Sequence, residues 1–176
     1  MRIAKVLEKI GEEFTESWES EQAHEYSDDV RKMRRDLDYS WSAVQFARNS
    51  RHRNPRIILH RGTNRKYEQV LTALDEAIAH LRNLTRTLEN TSRSESVWDQ
   101  RFREQWAAAL KSTATLMSNP DTDVEPAVEQ LDQLAQDMVA EGQISSENWP
   151  LYGALITSLR NISVIVDDVS TTTTDA

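Results

Sequence analysis

Apolar residues recur along this chain in steps of three and four, separated by polar and charged positions. Over residues 1–25 the inner positions are Ile3, Val6, Leu7, Ile10, Phe14 and Trp18, which share one helical face. Gly11 interrupts that helix at about 1 kcal/mol relative to alanine, too little to defeat so regular a pattern. A polar, acidic stretch follows at residues 20–29, with Ser27 a candidate cap for the next helix. A bend there and one very long helix both fit. Val30, Met33, Leu37, Trp41 and Val44 then carry a stripe as far as Ala47, and Tyr67, Val70, Leu71, Leu74, Ala77, Ile78, Leu81, Leu84 and Leu88 carry another back. Between them Asn54-Pro55 breaks the period, because proline lacks an N–H and pushes its predecessor out of helical geometry. Gly62 offers a turn, and Thr63 or Asn64 a cap.

The second half repeats the theme. After a polar connector at residues 90–96, Ser96 can cap a helix whose third position is Asp99. Its stripe is Val97, Trp98, Phe102, Trp106, Ala109, Leu110, Thr113 and Met117. Asn119-Pro120-Asp121 ends it. Another helix is expected from Thr122, with Glu125 at capping-box spacing, Pro126 in the first turn, and Val124, Val128, Leu131, Leu134, Ala135 and Met138 inside. Gly142 is its natural stop. The last helix, from residues 146–150, shows Leu151, Leu155, Ile156, Leu159, Ile162, Ile165, Val166 and Val169. The β-branched run 162–169 has no second strand to pair with, so it is read as helix. The pattern therefore predicts an all-α fold, an antiparallel helical bundle of four to five long amphipathic helices. It forms one domain over residues 1–170, with a hairpin at 27–91 and a tail at 171–176.

Composition narrows the chemistry. The 176 residues contain four glycines, four prolines and no cysteine, and carry a net charge of −8. Disulfides, thiolate metal sites and cysteine nucleophiles are excluded. No apolar run reaches the roughly 18–20 residues that span a bilayer, and residues 1–4 lack the apolar core of a signal peptide, so the chain reads as soluble.

Against that acidity the corner at 48–66 stands out. Arg48, Arg51, Arg53, Arg56, Arg61, Arg65 and Lys66 give it a formal charge of +7 with no acidic residue among them. Such an excess is solvated, paired with acids elsewhere, or turned toward an anionic partner. Nine carboxylates between Glu8 and Asp29, against Lys9 alone, are available for pairing.

No catalytic set emerges. Glu21-x-x-His24 has the spacing of half a helical di-iron site, but the other half is missing, and Glu76 and His80 are four apart. The carboxylates fall on outer faces, and the four glycines are isolated, so no phosphate loop exists. Four of the five tryptophans lie on or beside apolar stripes and read as core. Acidity overall, and the lack of aromatics among the corner arginines, speak against nucleic acid. The expectation is a non-enzymatic protein without cofactor or metal.

One resemblance adds to this. Asp29-Val30-Arg31…Leu37…Trp41-Ser42-Ala43-Val44…Ala47-Arg48…Asn54-Pro55-Arg56, with Tyr67…Leu71…Leu74-Asp75-Glu76-Ala77-Ile78…Leu81-Arg82-Asn83-Leu84-Thr85-Arg86, resembles the cytoplasmic helical domain of the FUSC type. That is the fusaric-acid-resistance and aromatic-acid-exporter family of bacterial membrane proteins. The similarity covers about sixty residues, and its distinctive part is the Pro-Arg corner. Arg56-Ile57-Ile58-Leu59 departs from the continued basic run such a corner implies, and the chain from Asn90 onward carries no matching motif. The resemblance implies a cytoplasmic piece of a larger bacterial inner-membrane protein, with residues 2–18 as the helix leaving the last membrane segment. It implies the membrane-embedded part and other copies of the chain as partners, a role in subunit assembly or gating, and anionic lipid headgroups as the contact of the corner, at about 1 kcal/mol per basic residue. The alternative is a free-standing cytosolic interaction or signalling bundle that binds an acidic partner through the same corner.

Overall fold

The computed structural model describes residues 2–16, 20–52, 61–92, 98–119, 123–140 and 148–174. Six helices occupy them: α1 (Arg2–Glu16), α2 (Ser20–His52), α3 (Arg61–Ser92), α4 (Gln100–Ser118), α5 (Glu125–Ala140) and α6 (Trp149–Thr174). The described residues are all helical in their regular structure, so the all-α expectation holds. The count of four to five is corrected to six. Residues 1–50 divide into two helices rather than running as one, because Tyr26, Val30, Met33 and Leu37 fold back onto the α1 stripe.

Polar contacts fix the directions. Tyr26 Oη donates to Glu13 at 2.5 Å, while Arg2 pairs with Asp36, so α1 and α2 are antiparallel. Ser27 Oγ donates to Glu89 at 2.9 Å and Arg34 pairs with Asp75, so α2 and α3 are antiparallel. Phe14 lies beside Arg103, and Gly11 beside Ala107 and Leu110, which runs α4 against α1. Asp99 meets Tyr152 and Thr113 meets Ser163, so α6 runs with α4. Successive helices thus alternate in direction, and α3 packs against both α2 and α6.

Ser27 is not a cap. It sits about two turns inside α2, buried, where its hydroxyl meets Glu89. Ser96 lies outside the described residues, and Asp99 itself caps α4: its backbone is extended and its carboxylate accepts from the Phe102 N–H at 2.8 Å. Asp123 similarly accepts from the Glu125 N–H at 2.9 Å, so α5 begins at Glu125, later than Thr122. Gly62, Thr63 and Asn64 fall within α3, which starts at Arg61.

One end of the body is closed by rings. Phe102 and Tyr152 stack at 3.9 Å between centroids, and Phe14 meets Trp98 and Trp106 edge-on at 4.9 and 5.2 Å, the latter a geometry that aromatic quadrupoles favour. Trp106 is fully buried, Trp41 and Trp98 are half-buried against the core, and Trp149 is exposed. Trp18 lies outside the described residues. Arg103 stitches this end together: Nε donates to the Phe14 carbonyl at 2.9 Å, one of the last carbonyls of α1, and the guanidinium lies 5.2 Å from the Phe14 ring. Gly11 lets α1 approach α4 closely, since a Cβ there would lie 3.0 Å from the Ala107 carbonyl oxygen.

Candidate functional site

The α2–α3 hairpin has two distinct parts. Within the body its stripes are sealed by α1 and α6. Among residues 38–49 on α2 and 66–76 on α3, whose burial is described, none is fully buried. Arg2, at the start of α1, pairs with Asp36, yet α2 continues to His52, roughly sixteen residues and about 24 Å further. The hairpin therefore projects past α1 as a two-helix arm. Trp41, Leu71 and Leu74 pack at its root. Along its length Tyr39 and Phe46 are each 75 % exposed and Tyr67 is 61 % exposed.

Of the seven basic residues expected at the corner, Arg48 and Lys66 are exposed on the arm. Arg51 lies in the last turn of α2, and Arg61 and Arg65 in the first turns of α3. Arg53 and Arg56 lie outside the described residues. Helix thus occupies both margins of the basic stretch, which brings five of its cations to one end of one hairpin.

A second cationic feature lies lower on the hairpin and was invisible in the pattern. Arg31, Arg34 and Arg35 of α2 and Arg82 and Arg86 of α3 line one groove of about 580 Å³, with Val30, Ile78 and Ala79 among its lining. Val30 and Ile78 are buried, which gives the groove an apolar floor. Arg31 pairs with Asp28 at 2.5 Å, and Arg34 pairs with Asp75 and, at 3.5 Å, Asp38. Arg35, Arg82 and Arg86 have no ion-pair partner among the described residues. The signal that could have found them is local: Arg31/Arg35 and Arg82/Arg86 are like charges at i,i+4, each destabilising by about 0.2–0.5 kcal/mol on an isolated helix. Only the hairpin register reveals that the two pairs face the same space.

The remaining candidates disperse. His24 lies 3.9 Å from Asp28 and 3.6 Å from Glu89, while Glu21 is exposed. Among the described residues no group of three or more histidines and carboxylates could hold a metal ion. Glu76 and His80 line a broad cleft with Asp132, Trp149 and Arg160, where Asp132 and Arg160 pair at 3.4 Å. Asp167 and Asp168 lie inside α6. None of the described helices is long and apolar enough to cross a membrane.

Two tyrosines are perturbed, Tyr26 strongly. Burial, then the hydrogen bond to Glu13 and that carboxylate's charge, drive the Tyr26 phenol well above its ordinary range. Burial also raises Tyr152, partly offset by the N–H of Asp99 donating to its oxygen. Both groups knit helices together, and neither faces the arginine groove.

Comparison of the chain with protein-family models, with curated proteins and with solved structures finds no match.

Proposed function

We propose that this protein is a non-catalytic helical attachment module: a six-helix body that assembles with copies of itself and a hairpin arm that makes the outside contact. In the setting the FUSC resemblance implies, it is the cytoplasmic domain of an exporter-like bacterial inner-membrane protein, contributing to subunit assembly or gating. The arm carries the proposal. Two helices extended about 24 Å beyond α1, ending in a cluster of cations and bearing exposed Tyr39, Phe46 and Tyr67, hold apolar and basic groups where the body cannot cover them. Basic residues add about 1 kcal/mol each near anionic headgroups, and aromatic side chains favour the interfacial layer.

Sedimentation with phosphatidylglycerol-containing vesicles tests the contact. Binding that weakens with salt, and that Arg51→Glu with Arg53→Glu abolishes, is expected; binding unchanged by that pair rejects the corner as the contact. Light scattering after size exclusion tests assembly, with an oligomer expected and a monomer at high concentration counting against it. The open reading frame upstream of Met1 separates this reading from the free-standing bundle, since hydrophobic helices encoded there are required.

A further inference from the structure

The arginine groove lies in the body of the hairpin, not on its arm, and the attachment reading neither needs nor explains it. Five guanidinium groups converge there from two antiparallel helices in a protein of net charge −8. Two of them are tethered by Asp28, Asp38 and Asp75 at the groove's margin, and three are not. Placing Arg31 and Arg35 on one wall and Arg82 and Arg86 on the other sets two like-charge pairs against one another. Aspartates pair with Arg31 and Arg34 only, so a multivalent anion would serve the other three, Arg35, Arg82 and Arg86.

We propose that this groove binds a ligand bearing two or more phosphoryl groups, held chiefly by Arg35, Arg82 and Arg86, with Arg31 and Arg34 at the rim. The planar fork of arginine matches phosphate oxygens two at a time, which a lysine cluster cannot do. Val30 and Ile78 give the groove an apolar floor beneath guanidinium groups that stay open to an incoming ligand. About 580 Å³ falls within the range of small-ligand sites. The same chemistry is offered by a free polyphosphorylated metabolite and by a phosphorylated lipid headgroup.

Titration calorimetry of the full chain with inorganic triphosphate at low ionic strength tests the first source, and sedimentation with vesicles containing cardiolipin, whose headgroup carries two phosphates, the second. Saturable triphosphate binding is expected, weakened about tenfold or more by Arg82→Gln with Arg86→Gln. Arg48→Gln with Lys66→Gln on the arm is expected to leave it unchanged. Arg35→Gln alone is a second, milder probe, and circular dichroism of each variant verifies its helical fold. Vesicle binding that Arg82→Gln with Arg86→Gln removes, without triphosphate binding, assigns the headgroup source. Absence of saturable binding in both arms overturns the proposal, as does triphosphate affinity unchanged in the folded groove variants. Arg51→Glu with Arg53→Glu is expected to spare triphosphate binding, which separates this site's failure from that of the arm.

Discussion

Tyr26 shows how one buried hydroxyl sets a measurable property of the whole protein. Its ring is 2 % exposed between α1 and α2, and its oxygen donates to Glu13. Because burial and that carboxylate raise its folded pKa, the folded state keeps a proton that the unfolded chain releases near pH 10. The folded form then binds more protons than the unfolded one, so stability is complete below about pH 10 and falls above it, by about 1.4 kcal/mol per pH unit for each such group. Denaturant melts between neutral pH and pH 11 should show this decline, and Tyr26→Phe should make it shallower while Tyr152 supplies the remainder. Arg103 is a second case. Removing its double hydrogen bond to the Phe14 carbonyl in Arg103→Ala should cost about 2 kcal/mol in chemical denaturation, with Arg103→Lys restoring only part, since an ammonium cannot both fork and lie flat on the ring.

Helices reward a different comparison. Gly11 reads from the sequence as a flaw in α1, yet it is the point of closest approach to α4, where Ala107 oxygen, Lys111 Cγ and Leu110 Cβ all crowd the absent Cβ. Alanine's helix-propensity gain of about 1 kcal/mol is therefore offset, and Gly11→Ala should raise the melting temperature little or not at all. Gly11→Val, which must push α1 off α4, should destabilise by about 2 kcal/mol in the same melts. The α4 and α5 starts make the complementary point. Asp99 and Asp123, each accepting from an N–H two or three residues on, decide where those helices begin, and several neighbouring residues could have served. Ser27 looks like a cap by composition, but the demand of Glu89 on α3 for a donor places it inside α2 instead.

Taken whole, the molecule is a sealed body with an unsealed extension. The core groups residues from all six helices, whereas the residues of α2 beyond Leu37 whose burial is described, 38–49, include none that is fully buried. Hydrogen exchange should follow that division: amides at 42–50 and 66–72 should exchange much faster than those at 78–88 and 102–117, because opening the arm exposes little buried apolar surface. Uniform protection along α2 and α3 would show that the arm is covered in solution. The functional features divide in the same way. The basic tip depends on sequence proximity alone, since its cations lie within one stretch of nineteen residues, 48–66. The groove depends on register: Arg35 and Arg82 line one space only because Arg34 meets Asp75 and Ser27 meets Glu89.

By itself, the order of residues determined what local spacing can determine. Apolar steps of three and four specify helices and their inner faces, Leu7, Leu84, Leu110, Leu131 and Leu155 among them, and the absence of cysteine and of a glycine-rich loop removes whole classes of chemistry. Only the tertiary structure decided that the first fifty residues fold as two helices, that α6 runs beside α4 and α3, and that α2 and α3 outreach α1. Only it brought arginines about fifty residues apart onto one groove. The reason is that helix formation is read from contacts within a turn, whereas partner choice and register follow from which stripes bury one another and which side chains then meet across the gap, information that no single stretch of chain contains.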